Sequence, residues 1–164
     1  MKIAVDVMGG DFAPKEAIKG LLLALPELNA EEHVVLIGRE DEIKAALTVE
    51  GADPARFAIV HAPDVVEMGE HPTKALTQKP HSSISIGFHL LKEGKIDAFA
   101  SAGNTGAMMV GALFSVKAIE GISRPCISTI VPKLDGSLGV LLDVGANSDV
   151  KPERSEERRV GKEC

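Results

Sequence analysis

Residues 97–107, Asp-Ala-Phe-Ala-Ser-Ala-Gly-Asn-Thr-Gly-Ala, constrain the fold more than any other stretch. A short apolar run enters a turn of small residues, Ser101 to Asn104, and small and apolar residues follow from Thr105 to about Ala118. This order predicts a strand over 97–101, a tight turn, and a helix over 105–118. Such a junction suits an anion. Glycine lets backbone N–H groups come close, and the first turn of a helix offers unpaired N–H groups and the positive end of its dipole. Gly-Asn turns are also ordinary tight turns, so the motif alone leaves both readings open.

The same rhythm recurs earlier in the chain. Lys2–Val7 is a β-branched run closed by Met8-Gly9-Gly10-Asp11, and residues 14–25 have helical apolar spacing with Pro14 in the first turn and Pro26 as the limit. His33–Ile37 reads as a second strand, Arg39–Leu47 as a helix and Phe57–His61 as a third strand. Strands alternating with helices imply parallel βαβ units and a doubly wound α/β sheet. Residues 64–81 break the rhythm, with a short helix over Thr73–Lys79 ended by Pro80. Ser82 or Ser83 then caps a helix carrying Ile84, Ile86, Phe88, Leu90 and Leu91, which Gly94 ends. Further on, Arg124–Val131 reads as a strand, Asp135-Gly136 as a hairpin turn, and Leu138–Val144 as a strongly buried strand. Lys151-Pro152-Glu153 resembles a helix start. Residues 154–164 hold one sizeable apolar residue, Val160, and so predict a non-native or disordered tail on a truncated chain, with a solvated helical turn as the alternative. The expected division is therefore 1–153 and 154–164.

Composition narrows the function. The 164 residues suffice for one domain with a core. With no Trp, no Tyr and a net charge of -6, a nucleic-acid partner is not expected. Cys126 and Cys164 form no disulfide or metal pattern, which fits a reducing cytosol. No secretory leader is expected, and the 164 residues hold no bilayer-length apolar run, so any membrane contact is expected to be peripheral.

Three turns, after Val7, Ser101 and Val144, place Gly with Asn or Asp at a strand's carboxyl end, where open α/β sheets bind ligands. Sharper motifs fail. There is no P-loop and no G-x-G-x-x-G, and Arg39 is a lone cue for a nucleotide phosphate. Phe99 stands where a nucleophile elbow has Gly, and all five histidines precede Ser101, so the hydrolase order of Ser, acid and His cannot be completed. The histidines lack metal-binding spacing. Lys74, Lys79, Ser82 and Ser83 form a polar cluster that reads either as a grip on phosphate or as a solvated loop with an N-cap serine. Asp6, Asp11 and Asp143 sit at strand ends, and Asp11 has the alternative of capping the helix entered at Pro14.

Taken in order, Met8-Gly9-Gly10-Asp11-x-Ala13-Pro14, Lys79-x-x-Ser82-Ser83, Ser101-Ala102-Gly103-Asn104-Thr105-Gly106-Ala107 and Leu142-Asp143-Val144-Gly145-Ala146-Asn147-x-Asp149-x-Lys151-Pro152-Glu153 resemble the phosphate:acyl-carrier-protein acyltransferases of bacterial phospholipid synthesis. Thr77 and Gln78 depart from the more basic segment usual there. The resemblance covers Lys2 to Glu153 and implies the amino-terminal half of an enzyme that makes acyl phosphate from acyl-acyl-carrier protein and inorganic phosphate. It also implies a three-layer α/β/α fold with a mostly parallel sheet, similar to phosphotransacetylase and isocitrate dehydrogenase, in a cytoplasmic homodimer loosely associated with the membrane. No cofactor or metal is implied.

Because phosphate is itself the nucleophile, no Ser or Cys nucleophile is needed. Expected catalytic residues are Lys79, Asn104, Asp143 and Asn147. Phosphate or substrate contacts are expected from Gly9, Gly10, Asp11, Ser82, Ser83, Ser101, Gly103, Asn104, Thr105, Gly106 and Gly145, with phosphate nearest Gly103–Thr105. Acyl carrier protein is acidic and would need a local basic surface such as Lys74, Lys79, Lys92 and Lys95. A chain lacking the second half is expected to be inactive. The alternatives are an NADP-type oxidoreductase using Arg39 and a non-catalytic fragment that binds phosphate or carrier protein.

Overall fold

The first four apolar runs become one parallel sheet. In the computed structural model, which describes residues 1–121 and 125–144, these are β1 (Lys2–Asp6), β2 (His33–Gly38), β3 (Ala58–His61) and β4 (Ala98–Ser101). Their order is β3-β2-β1-β4. The connections carry α1 (Lys15–Ala24), α2 (Glu40–Val49), α3 (Pro72–Gln78) and α4 (Ser83–Lys92), and α5 (Thr105–Ser115) follows β4. The chain divides into two units, Met1–Gly121 and Ile122–Cys164, and each is described by itself.

Alternation along the strands builds the layers. Val5, Val34, Leu36 and Ile59 pack with Ile18 and Leu21 of α1 and Ile43 and Leu47 of α2. Ala4, Val35, Ile37, Val60 and Phe99 pack with Ile86, Leu90 and Leu91 of α4. A parallel sheet hydrophobic on both faces must be covered on both, and here helices lie on each side. The expected three-layer α/β/α arrangement is therefore present in the first unit. Helix α5 joins the α4 layer, with Ala107, Met108 and Ala112 packed near Ala75, Ile84 and Phe88. Phe88 meets Phe99 edge to face, with ring centroids 5.3 Å apart.

Local chemistry sets the helix ends. Glu40, Asp41 and Glu42 place negative charge at the first turn of α2. Ser82, not Ser83, caps α4, its hydroxyl oxygen accepting from the Ser85 N–H. Gly94, at φ +67°, follows the end of α4. Helix α5 stops at Ser115, three residues short of the expected Ala118, and Lys117 adopts a left-handed φ of 71°.

In the second unit β5 (Ser128–Pro132) and β6 (Leu138–Leu142) form the expected antiparallel hairpin. Its turn is held by Asp135 Oδ1, which accepts from the N–H and hydroxyl of Ser137. Two expectations are corrected here. The first strand of the hairpin starts at Ser128 instead of Arg124, although 122–124 lie outside the described residues. The second strand is not buried: Leu138 is 66% and Val140 72% exposed. A continuous apolar run reads as a buried strand in sequence, yet this one belongs to a two-stranded ribbon. The expected tail, 154–164, also lies outside the described residues.

Candidate active site at the β1–β4 crevice

Strand order selects the site. From β1 the chain steps outward through β2 to β3, then returns to place β4 on the other side of β1. The turn after β1 leads to α1, on one face of the sheet, and the turn after β4 leads to α5, in the layer on the opposite face. The two connections diverge and leave a crevice at the carboxyl ends of β1 and β4. This is the topological switch point at which open α/β sheets bind ligands.

The register sets Asp6 beside Ser101 across the two strands. Asp6 is 3% exposed. Its Oδ1 accepts from the Met8 N–H at 3.0 Å, and its Oδ2 accepts from the Ser101 hydroxyl at 2.7 Å. The Ser101 Oγ in turn accepts from the Gly103 N–H at 3.0 Å. Gly9 allows this closeness: a Cβ there would lie 2.6 Å from Gly103 N and 2.8 Å from both Asp6 Oδ2 and Ser101 Oγ. No side chain larger than hydrogen fits. Among the described residues, the backbone N–H groups of Gly9, Gly10, Thr105 and Gly106 donate no hydrogen bond to a backbone carbonyl.

Asn104 ties a third segment to the crevice. It is 4% exposed and caps α5, its Oδ1 accepting from the Ala107 N–H at 2.9 Å. Its Nδ2 donates to the carbonyl oxygens of Glu67 at 2.9 Å, Met68 at 3.3 Å and Glu70 at 3.0 Å. The irregular segment before α3 is thus fastened to the first turn of α5. Gly106 lets Pro72 approach that turn closely, and Thr105 stays exposed at its start.

Lys79, half-buried, donates to the Val65 carbonyl oxygen at 2.7 Å and pairs with Glu70. The Lys79 hydrogen bond, helped by the Glu67 N–H, holds the Glu70 carboxyl below its ordinary value against the opposing effect of burial. The Ser82 hydroxyl donates to Ser85 Oγ at 2.9 Å, and Ser83, fully buried, gives its N–H to the Asp64 carbonyl oxygen.

The crevice therefore gathers Gly9, Gly10, Ser101, Gly103, Asn104, Thr105 and Gly106. Lys79 reaches it through Glu70 and Asn104. Ser82 and Ser83 sit at the start of α4, engaged in its cap and in the bridge to Asp64. Asp11 is exposed, and its side chain makes no hydrogen bond to α1, which begins after Pro14 with no side-chain cap. Asp143 belongs to the hairpin unit, where its N–H donates to the Ile127 carbonyl oxygen at 2.7 Å. Gly145 and Asn147 lie outside the described residues. Sequence reasoning gave Asp6 and Glu70 no role. An acid between Val5 and Val7 in a buried strand was the available signal, because a buried carboxylate requires partners.

Residues 1–157 match the sequence profile of the fatty acid synthesis protein family. The chain belongs to that family. It is 49% identical over 157 residues to a phosphate acyltransferase of Dictyoglomus turgidum, covering 96% of this chain and 46% of that protein. A phosphate acyltransferase of Desulfitobacterium hafniense is 49% identical over 153 residues, covering 93% and 45%. The chain thus spans about half the length of these relatives. A phosphotransacetylase from Streptococcus pyogenes shares the fold, with a TM-score of 0.67 at 20% identity over 98% of this chain and 51% of that one.

Within this family member, the cue for a nucleotide phosphate has another use: Arg39 donates to the Pro63 carbonyl oxygen at 3.1 Å and to Glu42 at 3.0 Å. Among the described residues no group of three or more His, Cys, Asp or Glu side chains is placed to hold a metal ion. A cavity of about 560 Å³ lies at the amino ends of the strands, lined by Lys2, His33, Phe57, Leu90 and Ile96. It is at the opposite end of the sheet from the glycine turns, so its size does not bear on their chemistry.

Proposed function

We propose that the β1–β4 crevice is the phosphate-binding part of an acyltransferase that moves a fatty acyl group from acyl carrier protein to inorganic phosphate. The observation that carries this reading is the pairing of two glycine turns at the switch point of a chain whose relatives are phosphate acyltransferases. In the reaction a phosphate oxygen attacks the thioester carbonyl carbon. The resulting oxyanion collapses, the carbon–sulfur bond breaks, and the carrier's thiolate leaves and takes up a proton. Acyl phosphate and free carrier protein result.

Such a step needs positioning and electrostatic stabilisation more than a protein nucleophile. Exposed backbone N–H groups at a helix start fit that need. Asn104 holds the first turn of α5, and Lys79 is the nearby cation, released toward phosphate if Glu70 yields it. Carrier-protein docking on Lys74, Lys79, Lys92 and Lys95, homodimer formation and peripheral membrane association in the cytoplasm belong to the same proposal. Among the described residues no helix is long and apolar enough to cross a membrane. This chain alone binds phosphate without turnover, and turnover requires the length of its relatives.

Hydroxylamine trapping tests the reaction, because acyl phosphates give hydroxamates. A chain extended to the relatives' length, given acyl-acyl-carrier protein, should yield hydroxamate only when phosphate is added. Asn104→Ala and Lys79→Ala should raise the phosphate KM or lower turnover. Thioester cleavage independent of phosphate, or unchanged kinetics in both variants, would contradict the proposal.

A further inference from the structure

Asp6 is a carboxylate at 3% exposure, and no cationic side chain bonds to it among the described residues. Burying a charge is costly unless donors compensate it. The two donors it has are informative, since one comes from each side of the crevice: the Met8 N–H belongs to the β1 turn and the Ser101 hydroxyl to the end of β4. Ser101 has one proton and gives it to Asp6. Its oxygen is thereby turned to accept from the Gly103 N–H. A single relay from carboxylate to hydroxyl to backbone amide spans both turns, and Gly9 lies against all three of its members.

We propose that Asp6 is a positioning residue that locks the two glycine turns together through Ser101, and that the Ser101 hydroxyl and the Gly103 N–H are committed to this lock and do not contact substrate. The proposal rests on the phosphate-site reading and changes its membership. Ser101 and Gly103 become the frame, and the anion falls to groups outside the relay. The lock explains why a carboxylate, Asp6, is buried beside the half-buried Ser101 where a strand pair would otherwise carry apolar residues. It also explains why position 9 is glycine although the φ value there is not in the left-handed region.

Replacement by Asn distinguishes a lock from a charge. In Asp6→Asn the amide oxygen can still accept from the Met8 N–H while the amide nitrogen donates to Ser101 Oγ. The heavy-atom frame survives without the charge. In Asp6→Ala and Ser101→Ala the frame is cut.

The test combines two readouts on this chain: amide hydrogen exchange at Gly103, and titration with inorganic phosphate. The Gly103 amide should be protected in the wild type and in Asp6→Asn, and should lose that protection in Asp6→Ala and Ser101→Ala. Phosphate affinity should fall about tenfold in each alanine variant, the scale of one charge-assisted hydrogen bond. The double alanine variant should be no worse than about twofold beyond either single, because both cut the same lock. Asp6→Asn should recover most of the loss.

An unprotected Gly103 amide in the folded wild type overturns the lock, whatever happens with phosphate. Loss of affinity in Ser101→Ala with none in Asp6→Ala also overturns it, by making Ser101 a direct ligand. So does an Asp6→Asn variant as damaged as Asp6→Ala, which would make the charge the working feature. Protection as expected but no phosphate binding by the wild type sinks the functional reading instead and leaves the lock standing.

Discussion

The two ends of the parallel sheet differ in kind. At the amino ends there is room: a cavity of about 560 Å³ with walls such as Phe57, Leu90 and Ile96. At the carboxyl ends of β1 and β4 the turns that floor the crevice are tightly packed, and a single Cβ at Gly9 would meet three polar atoms within 2.8 Å. Yet buried polar side chains gather at the crowded end, where Asp6 and Asn104 are 3% and 4% exposed with every contact backed by named donors or acceptors. Space marks a place where packing is incomplete. Satisfied buried polarity marks a place where the backbone is held in one arrangement. For a reaction in which the protein must position an anion, the crowded end is the better candidate.

That contrast can be broken by substitution. The largest effect is expected from Gly9→Ala, which forces the two turns apart. Thermal unfolding should show a loss of about 3 kcal/mol, the upper part of the range for overpacking, and phosphate affinity should drop more than tenfold. Asn104→Ala removes the α5 cap and the amide that holds the carbonyl oxygens of Glu67, Met68 and Glu70. A loss of about 2 kcal/mol is expected in denaturant titration, with faster proteolysis of the 64–71 segment.

A smaller, pH-dependent effect is expected from Glu70→Gln. The Glu70 carboxyl is held below its ordinary value of 4.5, first by the Lys79 hydrogen bond. Its contribution is therefore fully present above 4.5 and is lost as pH falls through the lowered value. Melting temperatures measured from pH 6 downward should fall more steeply below about pH 4.5 in the wild type than in Glu70→Gln. The smallest effect is expected at the other end of the sheet. Arg56→Ala, on the wall of the amino-end cavity, should leave phosphate affinity within about twofold, the level of a surface change remote from the site.

Much of this was readable from residue order. Four strands, five helices and the hairpin followed from apolar period, proline and glycine placement and the Asp-Gly turn. The glycine turns after β1 and β4 were legible as anion-friendly. What the one-dimensional pattern lacked was strand order. It is the return of β4 to the free edge of β1 that makes neighbours of turns about 90 residues apart in sequence, the switch-point geometry. The pattern also could not reveal how polar groups are used. Ser101, Asn104 and Lys79 are the residue types that bind phosphate, but their partners are Asp6, three loop carbonyls and Glu70, which no local motif names. Leu138–Leu142 misled for a related reason: apolarity states what should be covered, not what covers it.

The most direct test of the central claim follows backbone amides of the labelled chain by NMR as inorganic phosphate is added. Saturable shifts are predicted at Gly9, Gly10, Thr105 and Gly106, with those of Lys2, Arg56 and Lys95 unmoved. Shifts centred on the amino-end residues, or no saturable shift at either turn, would contradict the assignment of the β1–β4 crevice as the phosphate site.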